Sequence, residues 1–356
     1  MSSTPITKRI CLTLFITVSL ILFFSIVKSG IAAGTRTITA LDGEKIEIPI
    51  YPERIACFYH PAYDKIIMLS SGSRIAMLPG DATLWAYKYY PELKGVVTQK
   101  TEGLPDPERL LALKVDMVFY PKGKLNISQV VEAGIPAVCP YTNDVVPANI
   151  DEYMIQFKKQ IIFFGEILGN DAKVRAERYC RYLDELNSKV KAITSKIPES
   201  DKPKVYYGKE TDLYSTQGSN TIMRWYTEFA GGIYMPKDLQ KYFATVTREQ
   251  VIAWDPDIIL LGMNGASNSK TGDSNLKGYR AYKARNVYNI PAGIFYWDMT
   301  SCETALLPLY LGKKFHPELF KDWDIIQEMK KFYSEIYRID LTDKDAERIL
   351  SGLPPL

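Results

Sequence analysis

Histidine is almost missing from this chain of 356 residues: only His60 and His316 occur, far apart in sequence. That argues against a bare-metal centre built from several imidazoles. Cysteine is sparse as well. Cys11 sits early in a first apolar run, and Cys57, Cys139, Cys180 and Cys302 fit no CxxC spacing. These four leave more than one disulfide pairing open. Their plainer reading is as small buried hydrophobes, in a body too large to need staples. The glycine-rich dinucleotide fingerprint, the phosphate-binding loop, the nucleophile elbow and the zinc-protease helix are all absent. The stretch Gly262–Lys270 is polar but lacks a Gly-Lys-Ser/Thr ending, and it reads as a flexible loop.

A surplus of positive charge is missing from the body too. The formal +3 belongs to residues 1–33, which hold Lys8, Arg9 and Lys28 and no acid; the remainder carries 41 Lys+Arg against 41 Asp+Glu. Gripping nucleic acid needs a basic face, so no nucleic-acid partner is expected. An apolar content of 46% with 24% charged residues is that of a globular protein, and the length suggests about two domains.

What is present starts with an export signature. Lys8-Arg9 precedes an apolar run from Ile10 to Val27, and small residues follow. This pattern predicts a signal cleaved near Ala32 or Ala33, with a retained anchor as the alternative. Cys11 is not at the exit of the run, so no lipid-attachment site is expected. Later apolar runs are too short to span a bilayer, so the exported body is expected to be soluble.

Beyond residue 33 the chain alternates short β-rich runs with helical patterns, which predicts α/β layers around parallel sheets. Strands are expected at Arg54–Phe58, Arg74–Leu78, Asp116–Tyr120 and Pro136–Cys139, with helices near Tyr63–Ser70, Pro107–Lys114 and Ile127–Ala133. From Ile150 to Leu168 the apolar residues fall at helical spacing, and Asp171 can cap a second long helix to about Ile193. Strands resume at Lys204–Tyr207, Ile258–Gly262 and Gly293–Tyr296. The two α/β halves share a repeat: Asp106–Tyr120 aligns without gaps to Thr247–Leu261, pairing Glu108 with Glu249, Ala112 with Ala253 and Asp116 with Asp257. Each copy reads as a capped short helix feeding a buried strand, and two similar lobes follow.

On these residues the sequence resembles the periplasmic substrate-binding proteins of ABC importers for iron chelates, haem and cobalamin. The segments that carry the resemblance are Ile38–Pro49 leading through Pro52–Ile55, Glu108–Asp116, the long central helix, Val246–Ile259, and an ending of His316–Phe320, Phe332-Tyr and Ile336-Tyr. Val115 stands where the family commonly has proline. The resemblance implies two Rossmann-like α/β lobes joined by a single long helix, divided as 1–33 signal, 34–148 N-terminal lobe, 149–169 connecting helix and 170–356 C-terminal lobe. It implies a monomer that binds a small metal chelate in the cleft and passes it to a membrane permease with its ATPase. An iron–siderophore complex is the first choice, and cobalamin or another corrinoid, haem or a nickel chelate are the alternatives. No cofactor of the protein's own and no direct metal ligand is expected. Glu108 and Glu249 match the positions that meet arginines of the permease. In the first turn of a helix each is also favoured by the dipole alone.

The residues expected at the cleft lie at strand ends and in the loops that follow, with Arg224 near a helix start: Tyr59 and His60, Trp85 (or a surface-helix residue), Tyr120 and Lys122, Tyr207 and Tyr214, Arg224, Phe243 and Trp297. Phe243 matches the place where cobalamin binders of the family carry an aromatic contact. Arg224 could pair with a carboxylate or phosphate, and Asn220 could cap its helix. The plainer readings are a solvated lysine, a partnered surface arginine and structural histidines. Aromatic walls suit large amphipathic ligands. The reading from another class is an exported enzyme using two facing carboxylates, for which Asp298 and Glu303 are the nearest candidates.

Overall fold

The computed structural model describes residues 34–99, 106–123, 125–141, 146–169, 171–209, 213–262 and 276–356. The expected export signal and the 263–270 loop lie outside these residues. Among the described residues no helix is long and apolar enough to cross a membrane.

A hairpin of β1 (Thr35–Thr39) and β2 (Lys45–Pro49) leads into the first lobe. There follow β3 (Ile55–Cys57), α1 (Ala62–Leu69), β4 (Ile75–Leu78), α2 (Leu84–Tyr89), β5 (Val97–Thr98), α3 (Pro107–Ala112), β6 (Met117–Phe119), α4 (Ser128–Glu132) and β7 (Ala137–Val138). The strands lie parallel in the order β5-β4-β3-β6-β7. β3, β4, β6 and β7 are buried at every residue, without polar alternation, as strands covered on both faces must be.

The helix α5 (Ile150–Leu168) then runs about 28 Å at 1.5 Å per residue. Asn149 caps its start by accepting from Glu152 N–H, and Gly169 ends it at φ 68°. Arg36 and Arg74 donate to its last carbonyls, on Glu166, Ile167 and Leu168, where cations suit the helix dipole. α6 (Asp171–Thr194) folds back along it. The two helices meet closely at Gly165, where an added Cβ would stand 2.8 Å from the Ala176 Cβ.

The second lobe contains β8 (Lys204–Lys209), β9 (Ser215–Gln217), α7 (Ile222–Phe229), β10 (Ile233–Tyr234), β11 (Phe243–Thr245), α8 (Arg248–Trp254), β12 (Ile258–Gly262), α9 (Arg280–Lys283) and β13 (Val287–Asn289). Its parallel sheet has the order β10-β8-β12-β13, with an antiparallel β9–β11 pair beside it. α10 (Leu307–Phe315), α11 (Ile325–Phe332), a π-helical turn at Tyr333–Tyr337 and α12 (Asp343–Leu350) complete the chain.

The sequence repeat is a structural one. α3 and α8 each lead through a residue with positive φ, Lys114 at 55° and Asp255 at 43°, into a strand beside the first strand of their sheet. Asp116 then accepts from the Glu53 and Arg54 N–H groups, and Asp257 accepts from Lys204 N–H, so each repeat pins the start of its neighbour. Burial classes agree along the two fifteen-residue segments except at Pro107 and Arg248.

Two expectations need correction. No strand forms at Gly293–Tyr296; the edge strand is Val287–Asn289, and Ala292 and Tyr296 make only an isolated bridge. The Phe295 N–H is taken by the Glu303 carboxylate instead of a neighbouring strand. Nor is the 170–356 span confined to one lobe. Its end returns to the first, where Trp85 donates to the Leu353 carbonyl at 3.0 Å, Lys88 pairs with Asp345 at 2.8 Å, and Arg338 reaches the carbonyls of Ile67 and Ser70. One continuous apolar cluster joins both lobes through α5 and α6. Cys57, Cys139, Cys180 and Cys302 are all free thiols.

Candidate ligand-binding cleft

Between the lobes lies a cavity of about 500 Å³. The first lobe contributes Tyr59, Lys122 and Tyr141, which follow the C-terminal ends of β3, β6 and β7. That end of a parallel sheet is where ligands bind in open α/β folds. Helix α5 forms one wall with Tyr153, Gln156, Phe157 and Gln160. Their spacing of three and four residues places all of them on one helix face. The second lobe supplies Asn220, Ile222 and Trp225 around the start of α7, with Tyr242 and Thr300.

The walls are aromatic and the polar groups are mostly neutral. Tyr153 stacks on Phe157 at 5.8 Å and leans on Trp225 at 5.1 Å, so the connecting helix touches the second lobe through rings. Tyr59 and Tyr141 pack at 5.1 Å on the opposite side. Trp225 is 5% exposed, and its indole N–H meets no hydrogen-bond acceptor. Gln160 donates to the Pro140 carbonyl at 2.8 Å. Burial raises the Tyr59 phenol well above its ordinary range, so it stays a protonated donor. Lys122 is the one cation lining the cavity among the described residues, and it is held by Asp42 with Glu44 at 3.5 Å. No carboxylate lines the cavity among the described residues.

Of the residues expected at the cleft, the structure brings Tyr59 and Lys122 to the cavity. The others lie elsewhere. His60 sits among the rings of Tyr63 and Phe295, 5.4 Å from each, where burial lowers its pKa against the opposing effect of Asp81. Trp85 is buried under the returning C-terminus, and Tyr120 packs in the first lobe's second apolar cluster. Tyr207 donates to Asp298 at 2.8 Å below the cleft, Tyr214 packs behind the second sheet, and Trp297 is enclosed beside Tyr310. Arg224 is taken by Glu228 at 3.0 Å and the Ser219 carbonyl. Phe243 is exposed, with the Lys209 ammonium 4.1 Å from its ring; its neighbour Tyr242 faces the cavity instead. Asn220 does not cap α7. The buried Gln217 does so, its carbonyl accepting from Met223 N–H while its amide donates to the Asp298 carbonyl. Asp298 and Glu303 do not line the cavity.

The wall residues on α5 escaped the sequence reading because Tyr153 and Phe157 also belong to the helix's apolar stripe. Gln156 and Gln160 were the available signal: polar side chains falling beside that stripe, with Gln160 buried.

Behind the cavity lies a buried charged cluster. Lys65 donates to the Thr300 carbonyl at 2.7 Å and to the Pro61 carbonyl, and its ammonium lies 5.5 Å from the Phe157 ring. Asp64 accepts from Cys302 N–H at 2.7 Å and from the Tyr337 hydroxyl. Glu303 accepts from Phe295 N–H and from the Tyr333 hydroxyl. Burial, then the nearby Asp64 charge, pushes the Glu303 carboxyl up to about 8.

The periplasmic binding protein family matches this chain over residues 58–293. The molybdate-binding protein MolA of Haemophilus influenzae is 25% identical over 338 residues, covering 89% of this chain and 95% of its own. Its crystal structure with molybdate bound superposes with a TM-score of 0.74 at 22% identity, over 86% of this chain and 99% of that one. A periplasmic solute binding protein from Veillonella parvula gives 0.72 at 24% identity, over 89% and 97%. At such identities the structural likeness is one of fold.

Proposed function

The chain belongs to the periplasmic binding protein family, and from that premise we propose that it is the capture component of an ABC importer and that its ligand is a small anion. The observation that carries the ligand class is the polarity of the cavity. Among the described residues it is lined by the Lys122 ammonium, phenol hydroxyls, side-chain amides and the Trp225 ring, and by no carboxylate. A carboxylate facing the ligand would repel an anion in a partly desolvated site, whereas neutral N–H and O–H donors hold one at little cost. An oxyanion such as molybdate is the first reading, because the relative bearing that name spans 89% of the chain.

An anionic ferric chelate is the second reading, favoured by a volume of about 500 Å³ and by aromatic walls, which exceed what a bare oxyanion fills. Residues 1–33 direct export and are removed near Ala32 or Ala33. The loaded protein docks on the permease through the exposed Glu108 and Glu249.

Titration of the mature chain, followed by intrinsic tryptophan fluorescence, tests the ligand. Molybdate, tungstate and sulfate form one arm; ferric siderophores and haem form the second, and neutral cyanocobalamin the third. Quenching by members of the first or second arm supports an anion and separates the two readings. Binding of cyanocobalamin alone, or of nothing, refutes it.

A further inference from the structure

The docking surface assigned above contains more than its two charges. Leu111 stands three residues after Glu108, and Ile252 stands three residues after Glu249, the same position in the repeat. Residues three apart share one face of a helix, so each lobe presents a glutamate and an aliphatic side chain side by side. Leu111 is 52% exposed and Ile252 is 51% exposed, while the preceding Leu110 and Val251 are fully buried. A single exposed leucine needs no explanation. Two matched ones, at the same position of a structural repeat, are a paired surface.

We infer that Leu111 and Ile252 are the apolar anchors by which this protein seats on its permease. The inference rests on the docking role of the two glutamates. The partner it fits is a membrane protein face with approximate two-fold symmetry that offers, at each of two equivalent places, a cation beside an apolar recess. The carboxylates call for the cation: neither Glu108 nor Glu249 makes an ion pair among the described residues, and the hydrogen bonds that Glu249 accepts from its own N–H and from the Thr247 hydroxyl carry no compensating charge. The repeat calls for the symmetry, since two like patches on one chain match a partner made of two like halves. The division of labour follows from interface physics. Rim charges set encounter rate and orientation, and desolvated apolar side chains at the centre set residence time.

The test measures binding of the full mature chain, with and without saturating molybdate, to the importer's permease–ATPase complex in lipid nanodiscs, at low and moderate salt. For the Leu111→Asn, Ile252→Asn double variant, dissociation is expected to be about tenfold faster or more, with an unchanged salt slope and unchanged ligand affinity. For Glu108→Gln with Glu249→Gln, the association rate is expected to fall and its salt dependence to flatten. Wild-type dissociation of the aliphatic pair, alongside impaired glutamate variants, overturns the anchor assignment and leaves docking intact. Unchanged binding of both pairs, or no binding of the wild type, overturns the docking role and the anchors with it. Circular dichroism and ligand affinity identify a variant that has failed to fold; Leu111→Ala with Ile252→Ala then carries the same comparison.

Discussion

Asp64 and Glu303 are tied to a single turn of helix: Tyr337 donates to the first and Tyr333 to the second. The turn is π-helical, a geometry that recurs where side chains must be re-aimed. Asp64 lies on the first lobe's α1, Glu303 lies just before α10, and the Cys302 N–H links the two directly by donating to Asp64.

This buried pair gives stability a pH dependence. Glu303 titrates near 8 in the fold against an ordinary 4.5, so the native state holds its proton more tightly than the unfolded chain. The stabilisation is complete below about 4.5 and is lost as pH rises toward 8. Glu303→Gln lacks that titration. The melting temperature of the wild type relative to this variant is therefore expected to fall between pH 5 and 8 (~3 units, within the raised range). Parallel curves in a thermal-shift series over that range would refute the assignment.

Trp225→Phe separates binding from folding. Its indole N–H is buried without an acceptor, so removing it relieves an unpaired group and offsets part of the cost of the smaller ring against Tyr153; a loss of no more than about 1–2 kcal/mol is expected. Affinity for an anionic ligand is expected to drop by about tenfold, the worth of a hydrogen bond to a charged group. Calorimetric titration beside denaturant unfolding reads both; unchanged affinity counts against Trp225 as a ligand donor.

Gly165→Val tests the contact between the two long helices. Its Cβ would lie 2.8 Å from the Ala176 Cβ and 3.0 Å from the Ala172 carbonyl. Overpacking of this kind costs about 1–3 kcal/mol, to be read from the urea midpoint at constant slope. A midpoint equal to the wild type's would mean that the helices separate freely.

Gln217→Leu removes the cap of α7 and its tie to the Asp298 carbonyl. A loss of about 1–2 kcal/mol is expected, with weaker ligand binding, because Asn220, Ile222 and Trp225 all ride on that helix start. Lost stability with unaltered affinity would confine Gln217 to a structural part.

The fold was legible in the sequence to a degree that the site was not, and the reason is physical. Ile150–Leu168 announces itself by periodic burial, and Asp106 and Thr247 by cap chemistry that acts within three residues. The repeat carried the lobe pattern as far as the matched positive φ of Lys114 and Asp255. The cleft is made otherwise, by side chains from segments far apart in sequence. Tyr59 and Lys122 could be placed because they follow strands at the ligand-binding end of the sheet. Trp297 follows a strand-like run and Tyr207 lies within β8, yet both turn inward to enclosed partners, Tyr310 and Asp298. Arg224 is spent on Glu228 within its own helix. The Gly293–Tyr296 run has strand composition, but its backbone is claimed by Glu303, a tertiary contact that local pattern cannot register.

The contacts of residues 338–353 with the first lobe decide what can fold alone. Trp85 and the Leu353 carbonyl are 268 residues apart, and Lys88 waits 257 residues for Asp345. Without residues 338–353 the first lobe would have an unmet indole, an unmet ammonium and an open apolar flank. The first lobe alone is therefore an incomplete object. Contacts of such long sequence separation slow folding, and the unit that folds is the whole body rather than its first lobe.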